Sequence, residues 1–212
     1  MKQNKLCAVI SGGVFSELNG IEKADYIIAC DKGYEYAVKC AVKPDILVGD
    51  FDSYKGELPS DIPRLSLPAE KDDTDTLAAI RYALAEGYRE INLYCAGGGR
   101  LDHLFANIQS AAFAVLKGAK VRLIDDDNQI IFFSNSSVKL PPKKGWSLSV
   151  FSVTDKCTFV NERGVKYPLE DAVIKNTFPI GVSNEWEGTA EISVKDGVLA
   201  VMLSKIKKEY NA

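Results

Sequence analysis

The feature that most constrains this chain is a change of rhythm near residue 127. Up to "VRLID" at 121–125, short apolar runs alternate with segments of helical periodicity. After "DDDN" at 125–128, only short apolar runs follow, closely spaced and separated by turn-like stretches such as "PPKKG" and "KDG". The first rhythm belongs to βαβ units, which build a parallel sheet with helices on its faces. The second suits an all-β sandwich or barrel. The expected fold is therefore α/β, with a Rossmann-like, mostly parallel sheet and helices over residues 1–127 and an all-β sandwich domain over 128–212. No repeat or low-complexity linker separates the halves.

Candidate strands in the first half are "LCAVI" (6–10), "YIIAC" (26–30), "DILVGD" (45–50), "INLYCA" (91–96) and "VRLID" (121–125). Residues 74–86 read as a helix with Leu77, Ile80 and Leu84 on one face and Gly87 as its stop. Residues 101–117 read likewise, with an apolar stripe of Leu101, Leu104, Phe105, Ile108, Ala111, Ala112 and Val115, ahead of Gly118. In the second half the β-rich runs are "QIIFF", "WSLSVF", "CTFV", "GVKYPL", "AEISV" and "GVLAVML".

Composition narrows the function. A net charge of -3 argues against a general nucleic-acid binder, which needs a basic face. The five cysteines are odd in number and form no CxxC pair, as expected of reduced thiols in a cytoplasmic protein. His103 is the single histidine, so a zinc site is not expected. The N-terminal apolar run is too short for a signal peptide, and no run approaches the roughly 18 residues of a membrane span.

Ligands of open parallel sheets bind beyond the carboxyl ends of the strands. Four clusters fall there or at helix starts: Asp31 in "CDKG", "GDFDS" at 49–53, "KDDTD" at 71–75 and "GGGRLDH" at 97–103. Asp50 and Asp52 lie two apart, so an extended segment points both the same way. Two adjacent carboxylates repel unless one takes a proton or a cation lies between them. All-oxygen donors suit Mg²⁺, which commonly takes one or two carboxylates plus substrate phosphates. The alternative is a solvated turn in which Asp52 or Ser53 bonds its own backbone. In "KDDTD", Thr74 or Asp72 can cap the helix, Asp75 is a candidate ligand, and Lys71 faces either a phosphate or water. The three glycines at 97–99 allow close approach of backbone to a ligand, and Arg100 adds a planar fork for phosphate. The same stretch also reads as a tight turn with Asp102 as N-cap, and His103 as a positioning group. In the second half, Trp186 of "GVSNEWEG" reads either as an exposed ring on a loop or as a half-buried one at a sheet edge; Trp146 reads as core.

Taken in order, "ACDKGYEYA", "PDILVGDFDS", "KDDTDTLAAI", "GGGRLDHLFANI" and "GVSNEW" resemble the thiamine pyrophosphokinase family across most of the chain. The resemblance implies an α/β ATP-binding domain, a β-sandwich domain, and transfer of pyrophosphate from ATP to the thiamine hydroxyl, giving thiamine diphosphate and AMP. It implies a homodimer, with thiamine between the catalytic domain of one subunit and the β domain of the other. By position it implies Mg²⁺ on Asp50, Asp52 and Asp75. ATP would be met by Asp31, Gly33, Lys71, Asp72, Thr74, Gly98, Gly99, Arg100 and Asn107. Thiamine would be met by Ser183, Asn184 and Trp186. Arg100, Asp75 and Asp102 would be catalytic, the two acids being candidates for the hydroxyl proton. Lys32 departs from the family's "DGG", standing where a glycine is common. Two rivals remain: a metal-dependent nucleotide phosphohydrolase with water as attacker, and a non-catalytic thiamine or nucleotide sensor.

Overall fold

The computed structural model describes residues 5–51, 54, 56–65 and 73–206. The chain is an α/β protein whose strands form a mixed sheet and a second, antiparallel sheet. It divides into two compact units, Met1–Asp126 and Asp127–Ala212.

The first unit runs β1 (Leu6–Ile10), a 3-10 turn (Ile21–Lys23), β2 (Tyr26–Cys30), α1 (Gly33–Lys39), β3 (Ile46–Val48), β4 (Arg64–Leu65), α2 (Asp75–Ala85), β5 (Glu90–Tyr94), α3 (Leu101–Leu116) and β6 (Lys120–Ile124). Among the described residues its strands are parallel, in the order β6-β5-β1-β2-β3-β4. The central strand β1 is buried on both faces, which is why "LCAVI" is a continuous apolar run rather than an alternating one. The chain steps outward from β1 to β4, then returns to lay β5 against the other side of β1. This reversal opens a crevice between the loops that leave β1 and β5.

Both expected helices form, but with rotated buried faces. α2 buries Thr76, Ala79, Ile80 and Ala83, leaving Leu77 and Leu84 half-buried. α3 buries Asn107, Ser110, Ala111, Ala114 and Val115, while Leu101 and Phe105 are 80% and 62% exposed. Ile80, Ala111 and Val115 are buried as expected, but the large residues at the edges of the expected faces give way to small ones, which let a helix sit close to a sheet. Gly87 (φ 87°) and Gly118 (φ 84°) follow the helix ends in the left-handed conformation that terminates a helix. α1 was not anticipated.

The second unit comprises β7 (Asn128–Phe133), β8 (Ser136–Leu140), β9 (Trp146–Ser152), β10 (Lys156–Val165), β11 (Leu169–Lys175), β12 (Gly181–Asn184), β13 (Trp186–Val194) and β14 (Leu199–Lys205). Four of them run antiparallel in the order β12-β9-β14-β7, the other four in the order β11-β10-β13-β8. Alternate residues of both sets meet in one core, with Phe133, Leu148, Val150 and Val201 from the first and Cys157, Val160, Ile174 and Ile192 from the second. "GVKYPL" is not one strand: it spans the end of β10, a turn and the start of β11. Trp146 is half-buried against this core.

Candidate active site

The crevice at the reversal is a cleft of about 310 Å³ within the first unit. Its wall begins at Ser11-Gly12-Gly13, directly after β1. Gly13 donates its N–H to the Cys95 carbonyl at 2.8 Å, and an added Cβ there would stand 2.5 Å from that oxygen. Tyr36 on α1 donates to the Gly13 carbonyl at 2.7 Å. The Ser11 and Thr76 hydroxyls share a buried hydrogen bond of 2.9 Å, tying the loop after β1 to α2. Sequence reasoning passed over this loop, although a glycine pair directly after a strand is the signal that marked 97–99.

Aspartates enter the cleft from three segments: Asp31 after β2, Asp50 after β3, and Asp73 and Asp75 at the start of α2. Thr74 caps α2, its hydroxyl accepting from the Leu77 N–H at 3.3 Å. Such a cap is worth about 1 kcal/mol and fixes the neighbouring carboxylates. Arg81 holds Asp73 at 3.0 Å. Asp31, Phe51 and Cys95 all have φ between 43° and 58°, and each lies just past the carboxyl end of a parallel strand. Left-handed conformation in a non-glycine residue costs about 1–3 kcal/mol, so each of these strand ends carries local strain. Cys30 also lines it; burial pushes its thiol well above the ordinary range, keeping it protonated and unreactive.

Of the residues singled out from sequence, the cleft gathers Asp31, Asp50, Thr74, Asp75, Gly98 and Asn107. Asn107 donates to the Ala96 carbonyl at 2.8 Å and so fixes the glycine turn onto α3. His103 also lines the cleft, whereas Gly33, Gly99, Arg100 and Asp102 do not. Arg100 occupies the N-cap position of α3 with no capping bond, and Asp102 lies inside the first turn instead of capping it. Their exposed side chains form a two-pronged ion pair at 3.1 and 2.6 Å. Hydrogen bonds from Arg100 hold the Asp102 carboxyl below the usual carboxylate range. Asp52, Lys71 and Asp72 lie outside the described residues. Among the described residues, no group of three or more His, Cys, Asp or Glu is arranged as a ready-made metal cluster.

In the second unit, "GVSNEW" is not a loop: it forms β12 and the start of β13. β12 pairs with β9 at Gly181 and Asn184, with a register break between them. At that break Ser183 takes φ 59°, its N–H donates to the Ser149 hydroxyl at 3.0 Å, and it is exposed. Trp186 is half-buried, its indole N–H donating to the Leu140 carbonyl at 3.3 Å. Asn184 is buried and its side chain is fully engaged within the protein. Its Oδ1 accepts from the Tyr167 and Glu185 N–H groups, both at 3.0 Å. Its Nδ2 donates to the Tyr167 carbonyl at 2.9 Å and to Glu162 Oε1 at 3.2 Å.

Glu162 is 1% exposed, and burial pushes its carboxyl from 4.5 up to about 7. A raised folded-state value favours the neutral acid. This contribution to stability is therefore complete below pH 4.5 and is lost as pH rises through about 7. The loss is on the order of 3 kcal/mol. Glu162→Gln, which cannot ionise, is expected to remove that dependence and unfold at higher urea than the parent at pH 8. Urea titrations at pH 5 and 8 check this; equal pH slopes for the two proteins would refute it.

The fold and site place the chain in a class of two-unit proteins, an α/β unit with an acidic cleft at its strand reversal followed by an all-β unit. Residues 18–123 match the catalytic domain of thiamin pyrophosphokinase, and residues 135–199 match that family's vitamin B1 binding domain. The chain belongs to the thiamin pyrophosphokinase family. A thiamine pyrophosphokinase of Bacillus subtilis is 28% identical, covering 94% of this chain and 99% of that protein. The crystal structure of thiamine pyrophosphokinase from Bacillus subtilis superposes with a TM-score of 0.84 at 26% identity, over 95% of this chain and 99% of that one. A thiamin pyrophosphokinase family protein from Enterococcus faecalis gives a TM-score of 0.78 at 28% identity, covering 96% of this chain and all of that one (100%). Among the described residues, no helix is long and apolar enough to cross a membrane.

Proposed function

We propose that this chain transfers the pyrophosphoryl group of ATP to the hydroxyl of thiamine, giving thiamine diphosphate and AMP. The observation that carries the reading is the convergence of aspartates from three separate segments on one cleft at the strand reversal. Such a concentration of negative charge is costly unless a cation occupies it. The acidic groups there are all carboxylates, the hard oxygen donors that suit Mg²⁺. Mg²⁺ needs only one or two of them when phosphates complete its shell, so a pre-formed three-residue cluster is not required. Asp50 and Asp75, with Asp52, would hold it. When bound, the ion neutralises charge on the triphosphate.

The protein's own groups do the rest. The turn at Gly98 brings backbone close to the phosphates, and Asn107 keeps that turn in place. Thr74 and the α2 cap hold Asp75 rigid, so little reorganisation is needed as charge develops. Asp31 and Thr74 belong to the ATP side. Gly33, Gly99 and Arg100 act from outside the cleft wall, Gly33 by allowing α1 to approach β1. Asp75 lines the cleft and Asp102 does not, so Asp75 is the better placed of the two candidates for the hydroxyl proton. Thiamine is assigned to Ser183 and Trp186. The first unit is read as a Rossmann-like ATP/Mg-binding domain, residues 1–127, and the second as a β-sandwich thiamine-binding domain, 128–212. The working form is read as a cytoplasmic homodimer.

Phosphorus NMR of ATP, Mg²⁺ and enzyme, with and without thiamine, tests the reading. AMP and thiamine diphosphate are expected in equal amounts and only with thiamine present. AMP release without thiamine would point to the phosphohydrolase; binding without turnover would point to the sensor.

A further inference from the structure

A buried carboxylic acid in a sheet core is an expensive choice, because an apolar side chain of the same size fills the space with no polar group to satisfy. Glu162 is such an acid. It lies on β10, its backbone paired with Leu169 of β11 and Ile192 of β13, among the apolar residues of the shared core. Its carboxyl accepts from Asn184, which in turn fixes the N–H groups of Tyr167 and Glu185 and the carbonyl of Tyr167. Asn184 and Glu185 separate the exposed Ser183 from the half-buried Trp186. With every polar atom of its side chain engaged inside the protein, it has none left to offer a ligand.

We infer that Glu162, acting through Asn184, is a positioning residue for thiamine: the buried pair holds the strained β12–β13 corner so that Ser183 and Trp186 face the substrate together. The inference rests on the thiamine-binding reading of that corner and deepens it. The geometry supports it at three points. The register break between Gly181 and Asn184 leaves that corner with less ladder support than a regular strand. Ser183 sits at φ 59°, a conformation that persists only where its surroundings impose it. The Asn184 bonds to Tyr167 and Glu185 supply that constraint, and the Trp186 N–H bond to Leu140 adds to it. The carboxyl pushed upward by burial is consistent with a group kept as a neutral partner for an amide.

Steady-state kinetics of the full chain test this with two substitutions. Glu162→Gln keeps an acceptor for Asn184; Glu162→Leu removes it at similar volume. The glutamine variant is expected to keep the thiamine KM within about twofold, and the leucine variant to raise it about tenfold while leaving the ATP KM within about twofold. If the leucine variant does not fold, Asn184→Asp alone and combined with Glu162→Gln decides. The first change removes the donor and the second supplies one in the reverse direction, so part of the lost thiamine affinity is expected to return. The inference is overturned by a folded leucine variant with an unchanged thiamine KM, by thiamine and ATP KM values rising together, or by a double variant no better than the single one. Absence of thiamine turnover in the unsubstituted chain would overturn the functional reading itself, and this inference with it.

Discussion

Asp50→Asn is expected to lower thiamine-dependent AMP release by about 10³-fold while the unfolding midpoint moves by no more than about 2 °C. The two halves of this expectation have separate causes. Asp50 is exposed at the carboxyl end of β3, and asparagine keeps its shape and an oxygen that accepts hydrogen bonds, so the substitution perturbs the fold little. What it removes is one negative charge from a cleft in which Asp31, Asp73 and Asp75 also stand. A divalent ion that keeps most of its water is held by few protein ligands, so each carboxylate carries a large share of its affinity. An ion held here would offset charge on the transferring phosphoryl oxygens, and removal of one such stabilising group typically costs about 10²–10³ in turnover. The same change at Asp52 is expected to act alike. Raising the Mg²⁺ concentration should recover part of the Asp50→Asn activity, because the defect is one of ion affinity. A folded Asp50→Asn protein with parental turnover would remove this residue from the site.

The fold was legible where one physical signal dominated. β1 and β2 have the bounds that "LCAVI" and "YIIAC" suggest, because strands buried on both faces are apolar throughout. α2 and α3 were legible as helices, but their buried faces only in part, through Ile80, Ala111 and Val115. Apolar periodicity marks the large side chains, whereas a helix packed onto a sheet buries small ones, and Leu101 and Phe105 are left outside. α1 is only seven residues, too short for periodicity to show, and β8 is half polar because one of its faces meets water. In the site, the acids after strand ends were visible since they break apolar runs. Ser11-Gly12-Gly13 went unnoticed, although its glycine pair follows a strand, because no charged residue stands beside it as Arg100 and Asp102 stand beside 97–99. The Arg100–Asp102 pair was not foreseeable from residue type, as each group alone suits a phosphate or a proton. Asn184 could not be told from a ligand contact, since its partner Glu162 is 22 residues away and no local pattern joins them.

Gly33→Ala is expected to destabilise the protein by more than about 4 kcal/mol, a loss found only for a few kinds of substitution. Gly33 opens α1 directly beneath the end of β1, and a Cβ there would stand 2.1 Å from the Ile10 carbonyl oxygen and 3.1 Å from that of Ser11. Both neighbours are backbone, so no rotamer change relieves the overlap. Ile10 is held from both sides, in register with Ala29 of β2 and Tyr94 of β5, and cannot retreat without opening the centre of the sheet. α1 is the element free to move, and moving it carries Asp31 and the Tyr36 bond to Gly13 out of place. Stability and nucleotide affinity should therefore fall together. Gly87→Ala is the control: nothing lies within 4 Å of its Cβ position, and only its φ of 87° opposes the change. That strain is worth about 1–2 kcal/mol. Urea unfolding of the two variants separates a backbone collision from a dihedral preference, and a Gly33→Ala loss no larger than the Gly87→Ala loss would show that α1 does not press on β1 as described.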